Sequence, residues 1–118
     1  LLSVSACTVR RPILTVAAIS GSYYSEYNKF ERWSMLTLKA DSTYEYSYGV
    51  GGCQDKIIGR WSIDTDHVHL VLPLRQDIVR YHKPNLENIH WIYRNGSLRP
   101  SAEIDNGCFK EIGVHRKE

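Results

Sequence analysis

His67 and His69 stand two positions apart in H-V-H-L-V-L. On a β-strand that spacing puts both imidazoles on one face, close enough to share a divalent ion. His82 or His90, on neighbouring strands, could supply a third nitrogen. The competing reading is two solvated histidines on an outward strand face. Other reactive residues are less ordered in sequence. Cys53 could act as a nucleophile with a histidine, but any distant Cys and His fit that description. Asp64, Asp66, Glu45, Glu87 and Glu103 are scattered, with no spacing that pairs them for acid and base work. The glycines of G-V-G-G-C-Q-D-K (49–56) lack phosphate-loop spacing, and no helical segment follows them. The expectation is a protein with no catalytic residues and no cofactor.

A second chemistry is contact. Tyr44, Tyr46 and Tyr48 alternate with Thr43, Glu45 and Ser47, and Tyr23 and Tyr24 lie upstream. Tyrosine offers a large apolar ring with a polar tip, the combination enriched at protein interfaces. These five tyrosines are therefore the candidate binding surface. The alternative is that one face of the row is simply core.

The elements that must hold these residues are strands. Leu36 and Leu38 alternate with Met35, Thr37 and Lys39, and A-D-S-T (40–43) supplies a turn before the tyrosine row. A third strand, Ile57 to Ile63, places Ile57, Gly59, Trp61 and Ile63 on one face. Gly21 to Tyr27 opens the sheet. Val68, Leu70 and Leu72 face inward after it, with Pro73 ending that strand. Further strands are expected at Asp77 to His82 and Asn88 to Tyr93. Asn95-Gly96 is a hairpin signal into Ser97-Leu98-Arg99, where Pro100 intervenes. Asp105-Asn106-Gly107 turns into a strand over Cys108 to Ile112, and the charged tail H-R-K-E is expected to fray. About eight short strands with no helix-period segment predict an all-β domain, an antiparallel meander closed as a small barrel or sandwich.

The 118 residues fit one domain of modest core. Charge is nearly balanced at +2, with 15 basic and 13 acidic residues spread along the chain, so nothing marks a nucleic-acid surface.

At the start of the chain, Val4-Ser5-Ala6-Cys7 resembles a lipobox, an aliphatic and two small residues before the cysteine that bears lipid. The resemblance implies a signal-peptide remnant over 1–6, a lipid-bearing Cys7, a tether over 7–18 and the β domain over 19–118. Two alternatives stay open: Arg10-Arg11 and Ile13 to Ile19 as an ordinary signal peptide, or the same apolar run as a buried first strand. With Cys7 acylated, Cys53 and Cys108 are left as a pair for a disulfide in an oxidising compartment. Two buried thiols in a cytosolic protein are the other possibility.

Gly21-x-Tyr23, L-T-L-K-A-D-S-T-Y-E-Y-S-Y, then G-R-W-S-I-D and H-V-H-L-V-L, together resemble the small lipocalin-like lipoproteins of Gram-negative bacteria, over about residues 19–72. Ser42 replaces the glycine usual in the turn of that pattern. The resemblance implies a meander barrel on the periplasmic side of the envelope, anchored to the membrane by lipid, and leaves the ligand open. The resulting expectation is a binding protein with a protein partner in the envelope, of inhibitor or immunity type. The alternative is a carrier or sensor of a small apolar ligand or metal. A filled core would favour the first and a central cavity the second.

Overall fold

The computed structural model describes residues 14–25, 32–65, 67–71 and 85–117. The strands are β1 (Gly21–Ser25), β2 (Trp33–Leu38), β3 (Thr43–Val50), β4 (Cys53–Asp64), β5 (His67–Val71), β6 (His90–Arg94), β7 (Ser97–Pro100), β8 (Ile104–Asp105), β9 (Lys110–Glu111) and β10 (His115–Lys117). Eight of them close an antiparallel barrel in the order β1-β10-β7-β6-β5-β4-β3-β2, and β8 with β9 form a separate hairpin. The all-β meander barrel expected from the alternation is what the chain builds.

Alternation explains the interior. In β2 Ser34, Leu36 and Leu38 point inward, in β3 Tyr44, Tyr46 and Tyr48, in β4 Ile57 and Trp61, and in β5 Val68 and Leu70. Cross-strand register stacks these into layers: Tyr23, Leu36, Tyr46 and Ile57 are successive partners across four strands. Trp61 lies opposite Leu70, and Val68 opposite Trp91. Buried aromatic rings dominate the energetics, each contributing about 2–3 kcal/mol before entropy. Closure also removes the exposed strand edges that an open sheet this aromatic would present.

Both ends of the barrel are occupied. A single helical turn, Val16–Ile19, capped by the Thr15 hydroxyl, drops Ile19 into one end, where the Ile19 carbonyl accepts from the Tyr23 hydroxyl. At the other end, the segment after β7 crosses the mouth as the β8–β9 hairpin. The Asn85 side chain holds it through the Glu103 carbonyl and the Asp105 amide, at 3.1 and 2.9 Å.

Three details differ from the sequence expectation. His115–Lys117 of the charged tail does not fray: it is the closing strand, paired with β1 on one side and β7 on the other, because His115 is a core residue there. The glycine-rich run 49–56, by its composition a hairpin loop, contracts to a turn at Gly51-Gly52, since Cys53 to Lys56 pair with β3 as strand. Cys108 to Ile112 forms only the two-residue β9, outside the barrel. The strand expected over Asp77 to His82 lies outside the described residues, as do Leu72 and Pro73.

The A-D-S-T turn is formed as expected. Asp41 accepts from the Thr43 amide at 3.0 Å and from its hydroxyl at 2.5 Å. Ser42 takes φ 71°, the left-handed region in which glycine is at ease.

Candidate functional site

The hairpin across the mouth carries a polar group into the barrel. Glu111, in β9, turns its carboxylate inward. There Ser34 donates to Oε1 at 2.7 Å and the Tyr46 hydroxyl donates to Oε2. Asn106 Nδ2 donates to the Tyr46 oxygen at 3.1 Å, while Asn106 Oδ1 accepts from the Cys108 and Phe109 amides at 3.0 and 2.9 Å. One asparagine thus fixes the hairpin turn and anchors it to the core. His115 Nε2 lies 2.8 Å from Ser34 Oγ and 3.5 Å from Glu111 Oε1, and Nδ1 faces the Gly113 carbonyl at 3.2 Å. Trp91 packs edge-on against the imidazole, ring centres 5.2 Å apart.

The electrostatics follow from burial. Burial pushes the His115 imidazole below its ordinary pKa, outweighing the opposing pull of Glu111 and the Gly113 carbonyl. Burial first, and the Glu111 carboxylate second, hold the Tyr46 phenol well above its usual range. Tyr23 and Tyr44 are raised in the same way, chiefly by burial.

Serine, histidine and glutamate together suggest an acyl-transfer relay, but this geometry does not make one. A relay needs hydroxyl and carboxylate on opposite imidazole nitrogens. Here both meet Nε2, while Nδ1 faces a backbone carbonyl. Ser34 and His115 are also shut off from solvent, at 2% and 0% exposed. The cluster is a polar lock that seats the hairpin on the barrel.

A covalent tie reinforces the lock. Cys53, at the start of β4, is bonded to Cys108 in the hairpin, with Cα atoms 5.7 Å apart. This is the pairing that cysteine arithmetic expected. Above the lock sits a cleft of about 150 Å³, walled by Arg32, Phe109, Lys110 and Ile112, with Glu111 at its floor. The Arg32 guanidinium lies over the Phe109 ring, 5.4 Å from its centre.

The expected tyrosine surface is corrected by the fold. Tyr23, Tyr44, Tyr46 and Tyr48 are core residues, leaving Tyr24 as the exposed member of the five. The cause is parity: in β3 the tyrosines, not Thr43, Glu45 and Ser47, share a face with the leucines of β2. Among the described residues the most exposed aromatic side chains are Tyr24 and Trp33, at 42% and 43%. Met35 is the cross-strand partner of Tyr24 and shares the outer face of β2 with Trp33. Trp33 lies against Gly49, where an added Cβ would come within 2.8 Å of its indole nitrogen. Beside it a shallow groove of about 270 Å³ runs past Ser47, Gln54, Asp55 and Lys56.

His67 and His69 point outward from β5, and His90 of β6 is the direct partner of His69. No group of three or more His, Cys, Asp or Glu side chains placed to hold a metal occurs among the described residues. His82 and Cys7 lie outside them. No helix among them is long and apolar enough to cross a membrane.

Sequence reasoning missed Ser34, Glu111, His115 and Trp33. Ser34 carried a signal, since it is in phase with Leu36 and Leu38 and so a polar residue at an inward position. Glu111 and His115 carried none, since neither the strand expected over Cys108 to Ile112 nor the charged tail gives a reason to turn a polar side chain inward. Comparison of the chain with protein-family models, with curated proteins and with solved structures finds no match.

Proposed function

We propose that this chain is an exported, lipid-anchored protein of the bacterial envelope that works by binding another protein, in the manner of an inhibitor or immunity protein. The observation that carries the reading is where the aromatic side chains go. Tyr23, Tyr44, Tyr46, Tyr48, Trp61 and Trp91 fill the space in which a carrier barrel would hold cargo. Outside, Tyr24 and Trp33 expose aromatic area around Met35, next to a groove with the polar side chains of Gln54, Asp55 and Lys56. Tryptophan and tyrosine flanked by polar side chains are the usual composition of an interface hot spot. The Cys53–Cys108 bond suits an oxidising compartment, in keeping with export. Anchoring rests on the lipobox-like run ending at Cys7.

The carrier alternative has less to support it. The cleft above Glu111, about 150 Å³, and the open groove beside Trp33, about 270 Å³, are both smaller than the roughly 300 Å³ at which small-molecule pockets begin.

The test is capture from envelope extract with the intact disulfide-bonded protein and with a Tyr24→Ala/Trp33→Ala variant whose melting temperature is unchanged. The expected result is one protein retained by the wild type and lost by the variant, which then binds at one to one when purified. Equal capture by both, or no binding by the purified protein, would reject the reading. A small-molecule adduct surviving native mass spectrometry would favour the carrier instead.

A further inference from the structure

The outer face of β5 and β6 holds an arrangement that the protein-contact reading does not use. His69 and His90 are direct cross-strand partners, with ring centres 5.1 Å apart and planes at 43°. His67, two residues from His69, has its ring 5.9 Å from that of His90. Their backbone is fixed from below: the residues between and beside them, Val68, Leu70 and Trp91, are fully buried in the barrel.

The separation can be compared with coordination geometry. An imidazole nitrogen binds zinc at about 2.0–2.1 Å, and the ring centre lies about 1.1 Å behind it. Two imidazoles on one ion at square to tetrahedral angles therefore have centres about 4.5–5.2 Å apart. The His69–His90 distance of 5.1 Å falls inside that window, and the His67–His90 distance of 5.9 Å falls outside it. The geometry points to a cross-strand pair, His69 with His90, as a site for a borderline divalent cation of the first transition row, with water completing the coordination. The pair differs from the His67 and His69 that strand alternation alone selects, because partners on adjacent strands approach more closely than i and i+2 on one strand. Nitrogen donors without thiolate favour Cu(II) over Ni(II) and Zn(II).

Isothermal titration of the intact disulfide-bonded protein with Cu(II), and then with Zn(II), tests this. One equivalent should bind, Cu(II) more tightly. His69→Gln and His90→Gln should each weaken it by at least the roughly 10–100-fold that even outer-shell changes cost. Both side chains lie on the outer face, and an unchanged circular dichroism spectrum would establish that the variants fold. His67→Gln, whose ring stands 5.9 Å from that of His90, should weaken binding less than either. No saturable binding, or a loss confined to His67→Gln with His90→Gln unaffected, would overturn the assignment.

Discussion

Ser34 of β2 and Glu111 of the mouth hairpin, 77 residues apart in the chain, meet at 2.7 Å inside the barrel. Tyr46 donates to the other oxygen of the same carboxylate. Removing the carboxylate leaves the buried Tyr46 hydroxyl without its acceptor, while Ser34 keeps His115 Nε2 at 2.8 Å. Glu111→Ala should therefore cost about 1–3 kcal/mol, the cost of an orphaned buried polar group. Urea denaturation reads this as a lower midpoint, and Glu111→Gln, which keeps the shape and one acceptor, should lose less.

His115 gives acid sensitivity of definite sign. Its pKa is lowered in the fold from 6.5, so below that value the unfolded chain takes up a proton that the folded chain resists. Its contribution to stability is complete above about pH 6.5 and is lost as pH falls from there towards the lowered folded value. The melting temperature should drop between pH 7 and pH 5, and His115→Gln should flatten that slope. An equally steep slope in the variant would place the sensitivity elsewhere.

The buried phenols set the alkaline limit. Tyr23, Tyr44 and Tyr46 are all raised above 10.0 in the fold, so stability is intact below pH 10 and is lost as pH rises beyond it. Absorbance at the tyrosinate band should show these three ionising together with loss of the near-ultraviolet circular dichroism signal, not before it.

The disulfide closes a loop of 55 residues. Chain entropy assigns such a bridge about 4 kcal/mol, a shift of more than about 15 °C in melting temperature for a small domain. Thermal melts with and without reductant measure it. Cys53→Ser/Cys108→Ser should reproduce the reduced curve.

Two backbone positions should respond in opposite directions. Gly59 lies under the Tyr44 ring, and an added Cβ would stand 2.3 Å from the Val71 carbonyl oxygen and 2.6 Å from the ring. Gly59→Ala should cost about 1–3 kcal/mol through overpacking. Ser42 holds a left-handed φ of 71°, a conformation costing a non-glycine residue about 1–2 kcal/mol, so Ser42→Gly should raise stability by some fraction of that. Chemical denaturation of both variants checks the pair.

The barrel itself was legible. Leu36 and Leu38, the tyrosine row, Ile57 with Trp61, and Val68 with Leu70 all follow a period of two, and an L-residue strand turns alternate side chains to opposite faces whatever surrounds it. The Asp41–Ser42 and Asn95-Gly96 turns were legible for a related reason: their side chains and φ preferences act over three or four residues. Ser34 sat in the same inward phase and could have been recognised as a polar residue awaiting a partner.

What alternation could not say is which of two faces became the inside. The tyrosines of β3 went inward because register set them beside the leucines of β2, and that left Tyr24 and Trp33 as the most exposed aromatic side chains among the described residues. The His69–His90 pairing, the Ser34–Glu111–His115 lock and the recruitment of the charged tail as the closing strand arise from contacts between segments far apart in the chain. Sequence determined the strands, their turns and the cysteine pair, because those depend on local geometry and on counting. Only closure of the barrel decided which side chains face each other, because a ring of strands fixes every register at once and no single strand carries that information.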